Sequence, residues 1–389
     1  MERKSGQDLF DRSRCAKNFA QQMVAESVFA MIDFSPRFQE CLYSPTEMSA
    51  SRQTQGWLAA VALLSSIPVA LAFRRYFGSN PLMGPSAQDP FLVLYVLQWG
   101  ASAWKHLLSG FWNAPFFFPS HNSIAFSDHL LLPSALYGGI RSLGLGPAAA
   151  YDFLVVSSFG LTCTAIFLLL KRATRAASFL CALVSIAVVY APWRWGHLTH
   201  LAMLWGPGTP LTLLTFDRLL RRKNTRSAMI FTSTFLITLL SGAYLLCFTL
   251  VAMATSAALR LSRPSFRRSM KPKAGLLAAT AAVCFVGLGA LFFHYRGVQA
   301  LVQEARPDLE VRSYALKATD WLAPSGMASY ARLVPQEWLR SEASLFPGFL
   351  LTLGTIAYVA ISIGARRTRL LPPPLLARST ILGGLILLA

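Results

Sequence analysis

Lys and Arg gather in clusters after every second long apolar run of this chain, and no other sequence feature constrains the fold as much. The runs lie at about 56–73, 150–170, 177–192, 201–219, 227–241, 243–259, 274–293, 347–364 and 376–389. Each is near the length with which a helix crosses about 30 Å of hydrocarbon. A segment surrounded by lipid must satisfy its own N–H and C=O groups, which predicts helices. The expected fold is an all-α membrane protein of about nine transmembrane helices.

The clusters are Lys171, Arg172 and Arg175; Arg218, Arg221, Arg222, Lys223 and Arg226; Arg260, Arg263, Arg267, Arg268, Lys271 and Lys273; and Arg366, Arg367, Arg369 and Arg378. The intervening connections, 193–200 and 241–242, contain only Arg194. The positive-inside rule then makes the clusters cytoplasmic and the amino terminus internal. Arg74 and Arg75 oppose the rule locally and are outweighed by four clusters that agree. Two long segments, 74–149 and 294–347, are predicted to be extracytoplasmic. Within the first, 91–108 and 129–142 read as interfacial helices. If both crossed the bilayer instead, downstream parity would survive and Asp128 would move to the cytoplasmic side.

Composition agrees with a lipid environment: 54% of residues are hydrophobic and 14% charged, against about a quarter charged in soluble proteins. A net charge of +19 would suggest nucleic acid if it formed stripes on a soluble surface. Here the cations lie between apolar runs, so membrane lipids, and not nucleic acid, are the expected partners. The cysteines (Cys15, Cys41, Cys163, Cys181, Cys247 and Cys284) show no paired spacing, and neither a disulfide nor a metal cluster is expected. Residues 1–50 read as a polar, disordered tail ahead of a membrane domain over 56–389, and a start at Met48 would fit an over-extended amino terminus. Ala70-Leu71-Ala72 resembles a signal-peptidase site, yet the first run is read as a retained anchor.

The later runs contain almost no ionisable residues, which counts against an ion-coupled transporter. Polar residues gather instead at predicted outer ends: Asp89, His121, Asn122, Asp128, His129, Arg194, His197, His200 and Tyr244. Asp89, followed by Pro90, suits a general base toward an acceptor hydroxyl; taken alone, Asp-Pro more often marks a helix start. Asp128 and His129 follow the aromatic stretch 113–122 (NAPFFFPSHN) and suit a phosphate, a metal or a sugar hydroxyl, or equally a cap and an interfacial imidazole. Arg194, His197 and His200 suit the oxygens of a leaving phosphate, although Trp and Arg also anchor helices at the interface. Ser241-Gly242-Ala243-Tyr244 breaks two runs and would place a phenol outside, or is simply a turn. A zinc site would need a further ligand in a pattern that is not present.

On these residues the chain resembles the GT-C superfamily of polytopic membrane glycosyltransferases, in particular its mostly uncharacterised bacterial members. The resemblance spans about 57–358. It is carried by Asp89-Pro90, by 113–119 (NAPFFFP), 125–131 (AFSDHLL) and 192–201, by Ser241 to Tyr244, and by Leu345-Phe346-Pro347-Gly348. It implies sugar transfer from a polyprenyl-phosphate donor to an unknown extracytoplasmic acceptor at the cytoplasmic (inner) membrane, with Asp89 as base. Asp128, His129, Arg194, His197, His200 and Tyr244 would bind substrate. Many members carry paired acids in the first loop, whereas here Gln88 precedes a solitary Asp89. No cofactor is expected, with a divalent cation left open. Relatives also continue through further helices, so a carboxy-terminal truncation is expected. The alternatives are a non-catalytic protein of the same architecture that binds lipid-linked glycans, and a lipid or polysaccharide transporter.

Overall fold

The computed structural model describes residues 51–72, 74, 88–117, 119–174, 176–301, 312, 315, 317–324, 326, 331–339, 345–349, 351–354 and 356. The tail at 1–50, most of the run at 347–364, the last basic cluster and the run at 376–389 lie outside the described residues.

All regular elements among the described residues are helical. In chain order they are α1 (Ser51–Ala72), α2 (Gln88–Lys105), α3 (Leu131–Ser142), α4 (Pro147–Thr174), α5 (Ser178–Val189), α6 (Pro192–Gly196) and α7 (Leu201–Leu204). There follow α8 (Gly208–Arg222), α9 (Thr225–Ser241), α10 (Ala243–Leu261), α11 (Pro264–Met270) and α12 (Ala274–Leu301). Among the described residues, five segments are long and apolar enough to cross a membrane: Thr54–Ala72, Pro147–Thr174, Ser178–Gly196, Ala243–Leu261 and Pro264–Val298.

Two of the remaining expected runs form helices shorter than these five segments. The run read as one helix over 201–219 is broken between Leu204 and Gly208, leaving α8 with 15 residues. Pro207 has no N–H to continue the ladder and disfavours helical geometry at Gly206, which accounts for the break. α9 has 17 residues, about 25 Å at 1.5 Å per residue. At the other boundary, α12 runs on to Leu301, so His294 and Tyr295 stand on a helix rather than in the outer segment predicted to begin at 294.

Small and hydroxylated residues set the helix contacts, as expected where lipid removes the hydrophobic drive between helices. A Cβ on Gly160 of α4 would fall 2.3 Å from Ser66 Oγ on α1, so the glycine permits this close approach. The Tyr190 hydroxyl, just after α5, donates to the Ser65 carbonyl at 2.9 Å. A threonine seam joins α8 to its neighbours: Thr212 donates to the Thr234 carbonyl at 2.8 Å, Thr215 meets Thr234 at 2.6 Å, and Thr209 meets Thr249 at 2.8 Å. α2 and α3 form an antiparallel hairpin, with the Trp104 indole donating to the Leu131 carbonyl at 2.8 Å and Gly100 against Ser134.

These contacts give the bundle two chemically different ends. Thr209 pairs with Thr249 and Asp217 with Arg260, so α8 and α10 run in step. At their carboxy-terminal end Asp217 also takes Arg221 at 2.8 Å, and Lys223 donates to Ser269 Oγ at 2.8 Å. Two basic clusters that are separate in sequence thus meet at one end. The opposite end collects the break at 205–207, the Gly242 turn and the amino terminus of α2.

Candidate functional site

The connection read over 193–200 is folded into the bundle together with the start of the run read over 201–219. Leu198, Leu201 and Trp205 are buried in the main core. Pro192 at the first turn of α6 starts a helix that Gly196 ends, and the chain then re-enters as α7 before the break at Gly206-Pro207. Such interrupted backbone is tolerated at membrane depth when protein surrounds it.

Asp89 lies in the first turn of α2, where the helix dipole favours a carboxylate. Its Oδ2 stands 3.4 Å from His200 Nε2, with the side chains 47% and 29% exposed. His200 Nδ1 is 3.3 Å from Thr199 Oγ1. The His200 ring lies 5.7 Å from that of His197, whose Nδ1–H donates to the Trp193 carbonyl at 2.7 Å. Four sequence-predicted residues (Asp89, Arg194, His197 and His200) therefore share one neighbourhood. Arg194 is its buried member: one guanidinium nitrogen donates to the Leu204 carbonyl at 2.9 Å, and the group lies over the Phe159 and Trp193 rings.

Asp128, His129 and Tyr244 form a second neighbourhood of different character. Asp128 Oδ1 accepts from the Ala243 N–H at 2.6 Å and so caps α10. Gly242 leaves room for it, since a Cβ there would stand 3.4 Å from Oδ1. Burial raises the Asp128 pKa above the ordinary carboxylate value, against the lowering effect of the Ala243 and Tyr244 backbone N–H groups. His129 is fully buried, with Nε2 on the Leu239 carbonyl at 2.8 Å and Nδ1 on the Tyr295 hydroxyl at 3.0 Å. The carbonyl requires Nε2 to carry the proton, and Nδ1 then accepts. Burial lowers the pKa to about 4. Tyr244, 57% exposed, lies next to this capped turn.

The sequence singles out Asn122 but not His294 or Tyr295, which help to hold this second neighbourhood together. Trp112 stacks on His294 with centroids 4.2 Å apart, Asn122 Oδ1 stands 3.0 Å from His294 Nδ1, and the Tyr295 hydroxyl also faces the Ser127 carbonyl at 3.2 Å. The segment before α3 is thereby fastened to α12. Also overlooked was Asp152, fully buried on α4 beside Tyr151, a phenol within electrostatic range of Asp89. The signal was a carboxylate inside an apolar run, which is rare enough in membrane helices to mark a site.

Among the described residues no group of three or more His, Cys, Asp or Glu side chains is placed to hold a metal ion. No family model, curated protein or solved structure matches the chain.

Proposed function

We propose that this chain is an integral membrane glycosyltransferase that moves a sugar from a polyprenyl-phosphate donor to an extracytoplasmic hydroxyl, at the end of the bundle that carries Asp89 and His200. The observation that carries the reading is the half-exposed Asp89–His200 pair at 3.4 Å. An exposed pair contributes only about 0–1 kcal/mol to stability, so folding gives little reason to build it. A carboxylate held by an imidazole and open to solvent is suited to take a proton from an acceptor hydroxyl. In this reading Asp89 deprotonates the hydroxyl, whose oxygen attacks the anomeric carbon while the prenyl phosphate departs. His197, His200 and Arg194 would offset the charge on the leaving phosphate, and the prenyl chain would lie against the apolar helices.

The same reading places the chain in the cytoplasmic membrane, with the meeting basic clusters inside and the Asp89 end outside, following the positive-inside rule. It counts α8 and α9 as spans beside the five long segments, and two more beyond the described helices. The decisive experiment measures sugar transfer from a polyprenyl-phosphate donor in membranes that contain wild type or Asp89→Asn. An unchanged rate in the variant removes Asp89 as the base. A cysteine introduced at Ser120 should react with an impermeant reagent from outside intact cells; reaction only after lysis would overturn the orientation.

A further inference from the structure

Arg194 carries its positive charge into the protein interior and is 3% exposed. Among the described residues no carboxylate pairs with it, and its polar contact is a single carbonyl. Among the described residues its Nε–H finds no hydrogen-bond partner, and neither does the indole N–H of Trp193, the indole N–H of Trp205 or the Thr162 hydroxyl. Each buried donor left in this state costs about 1–3 kcal/mol, and a charged one more. Native proteins leave only a few such groups per 100 residues, which makes four in one neighbourhood informative.

The donors lie in one neighbourhood. Trp193 and Arg194 are consecutive and in cation–π contact, Leu204 accepts from the guanidinium, and Trp205 follows Leu204. Thr162 approaches from α4. A Cβ placed on Gly206 would stand 3.3 Å from Thr162 Cγ2, 3.4 Å from Thr162 Oγ1 and 3.8 Å from an Arg194 terminal nitrogen, so the bare backbone of Gly206 faces both groups. A water accepts only about two hydrogen bonds and neutralises nothing. A negative ion can accept from more than two donors and also offsets the guanidinium.

We propose that Thr162, Trp193, Arg194, Trp205 and the backbone of Gly206 form a binding site for a single negative charge. The ligand is a monoanion: one guanidinium balances one charge, and a dianion would leave an unpaired charge among the Phe159 and Trp193 rings. A free ion such as chloride and the phosphodiester group of a lipid both meet this chemistry. The site shares Arg194 with the sugar-transfer reading and deepens it there, while Asp89 and His200 are not among its donors.

The test uses the full-length protein in detergent with sodium gluconate at constant ionic strength. Its thermal unfolding midpoint is followed while gluconate is replaced by chloride, dimethyl phosphate or methyl farnesyl phosphate. The expected result is a saturable rise with at least one of them. A response confined to the farnesyl ester identifies a lipid headgroup, and a response to chloride or dimethyl phosphate a free ion. Arg194→Gln should abolish the rise, while Gly206→Ala, which puts a methyl group on that backbone, and Thr162→Val should each weaken apparent affinity by about 10-fold. If Arg194→Gln does not fold, the two milder variants decide. Asp89→Asn should respond as wild type, so loss of transfer and loss of anion binding are separable. No saturable response to any of the three anions, or the same response in Arg194→Gln, or in both milder variants where it does not fold, would overturn the site.

Discussion

The chain contains two acid–imidazole sets at the same end of its bundle, and they are used differently. Asp128 and His129 are adjacent in sequence, yet their polar atoms face backbone groups and a phenol: the Ala243 N–H, the Leu239 carbonyl and Tyr295. Asp89 and His200 are far apart in sequence, are brought together by the fold, and keep substantial exposure. The comparison teaches that residue type does not identify a reactive pair. What separates the two is whether the acceptors and donors are already committed to the backbone.

The sharpest way to break this contrast is to neutralise the two carboxylates in parallel. Asp89→Asn should reduce sugar transfer by about 100-fold or more, the scale of a lost general base, with the unfolding midpoint almost unmoved. His200→Gln should have a smaller effect, since the imidazole orients the carboxylate and does not accept the proton. Asp128→Ala should do the reverse. Loss of a buried cap costs about 1–3 kcal/mol of stability, read as a lowered midpoint in detergent, with transfer per folded molecule preserved. Asp128→Asn retains an acceptor oxygen and should recover most of the loss. If Asp128→Ala abolished transfer without a stability change, the division between the two sets would fail.

Of this architecture, the helical class and the alternation of basic and polar ends were legible in the sequence, because lipid length and Arg/Lys placement act on every helix independently. The break at Gly206-Pro207 was legible in principle but hidden inside an apolar run. The burial of Arg194 was not legible. A Trp-Arg-Trp segment reads as an interface anchor, and only the tertiary packing of Phe159, Thr162 and Leu204 around it shows otherwise. Asp89 and His200 were both identifiable as candidates, but their contact depends on how α2 meets the 190–207 stretch, which no local pattern encodes. For Asp128 the cap and binding readings were equally compatible with the sequence, and the Ala243 N–H supplies the cap contact that no local pattern encodes.

The contrast can be sharpened by pH. His129 has its folded pKa lowered from 6.5 to about 4, so the folded state binds fewer protons than the unfolded state between those values. Its contribution to stability is complete above about pH 6.5 and is lost as pH falls toward 4. Asp128, with a raised pKa, works in the opposite direction: the folded state holds its proton to higher pH, which favours folding as pH falls. The unfolding midpoint measured across pH 6.5 to 4 should decline in wild type, and the decline should steepen in Asp128→Asn, where the opposing carboxylate is gone. In His129→Gln the decline should vanish or reverse. A wild-type midpoint that is flat across this window, with the same flat line in both variants, would show that neither group is held as the geometry requires.

The smallest effect belongs to Tyr295. Its hydroxyl has one proton and faces two acceptors, His129 Nδ1 at 3.0 Å and the Ser127 carbonyl at 3.2 Å. Because Nε2–H of His129 is already donated to Leu239, Nδ1 can only accept, so the proton belongs to His129 and the Ser127 contact is secondary. Tyr295→Phe removes that donor while the ring remains against Trp112 and His129. The cost should be about 1 kcal/mol, and it should largely disappear when Tyr295→Phe is combined with His129→Gln. Two full, additive losses would instead mean that the phenol serves Ser127 and that the imidazole is held by Leu239 alone. The buried set would then be fastened at one point fewer than its geometry indicates.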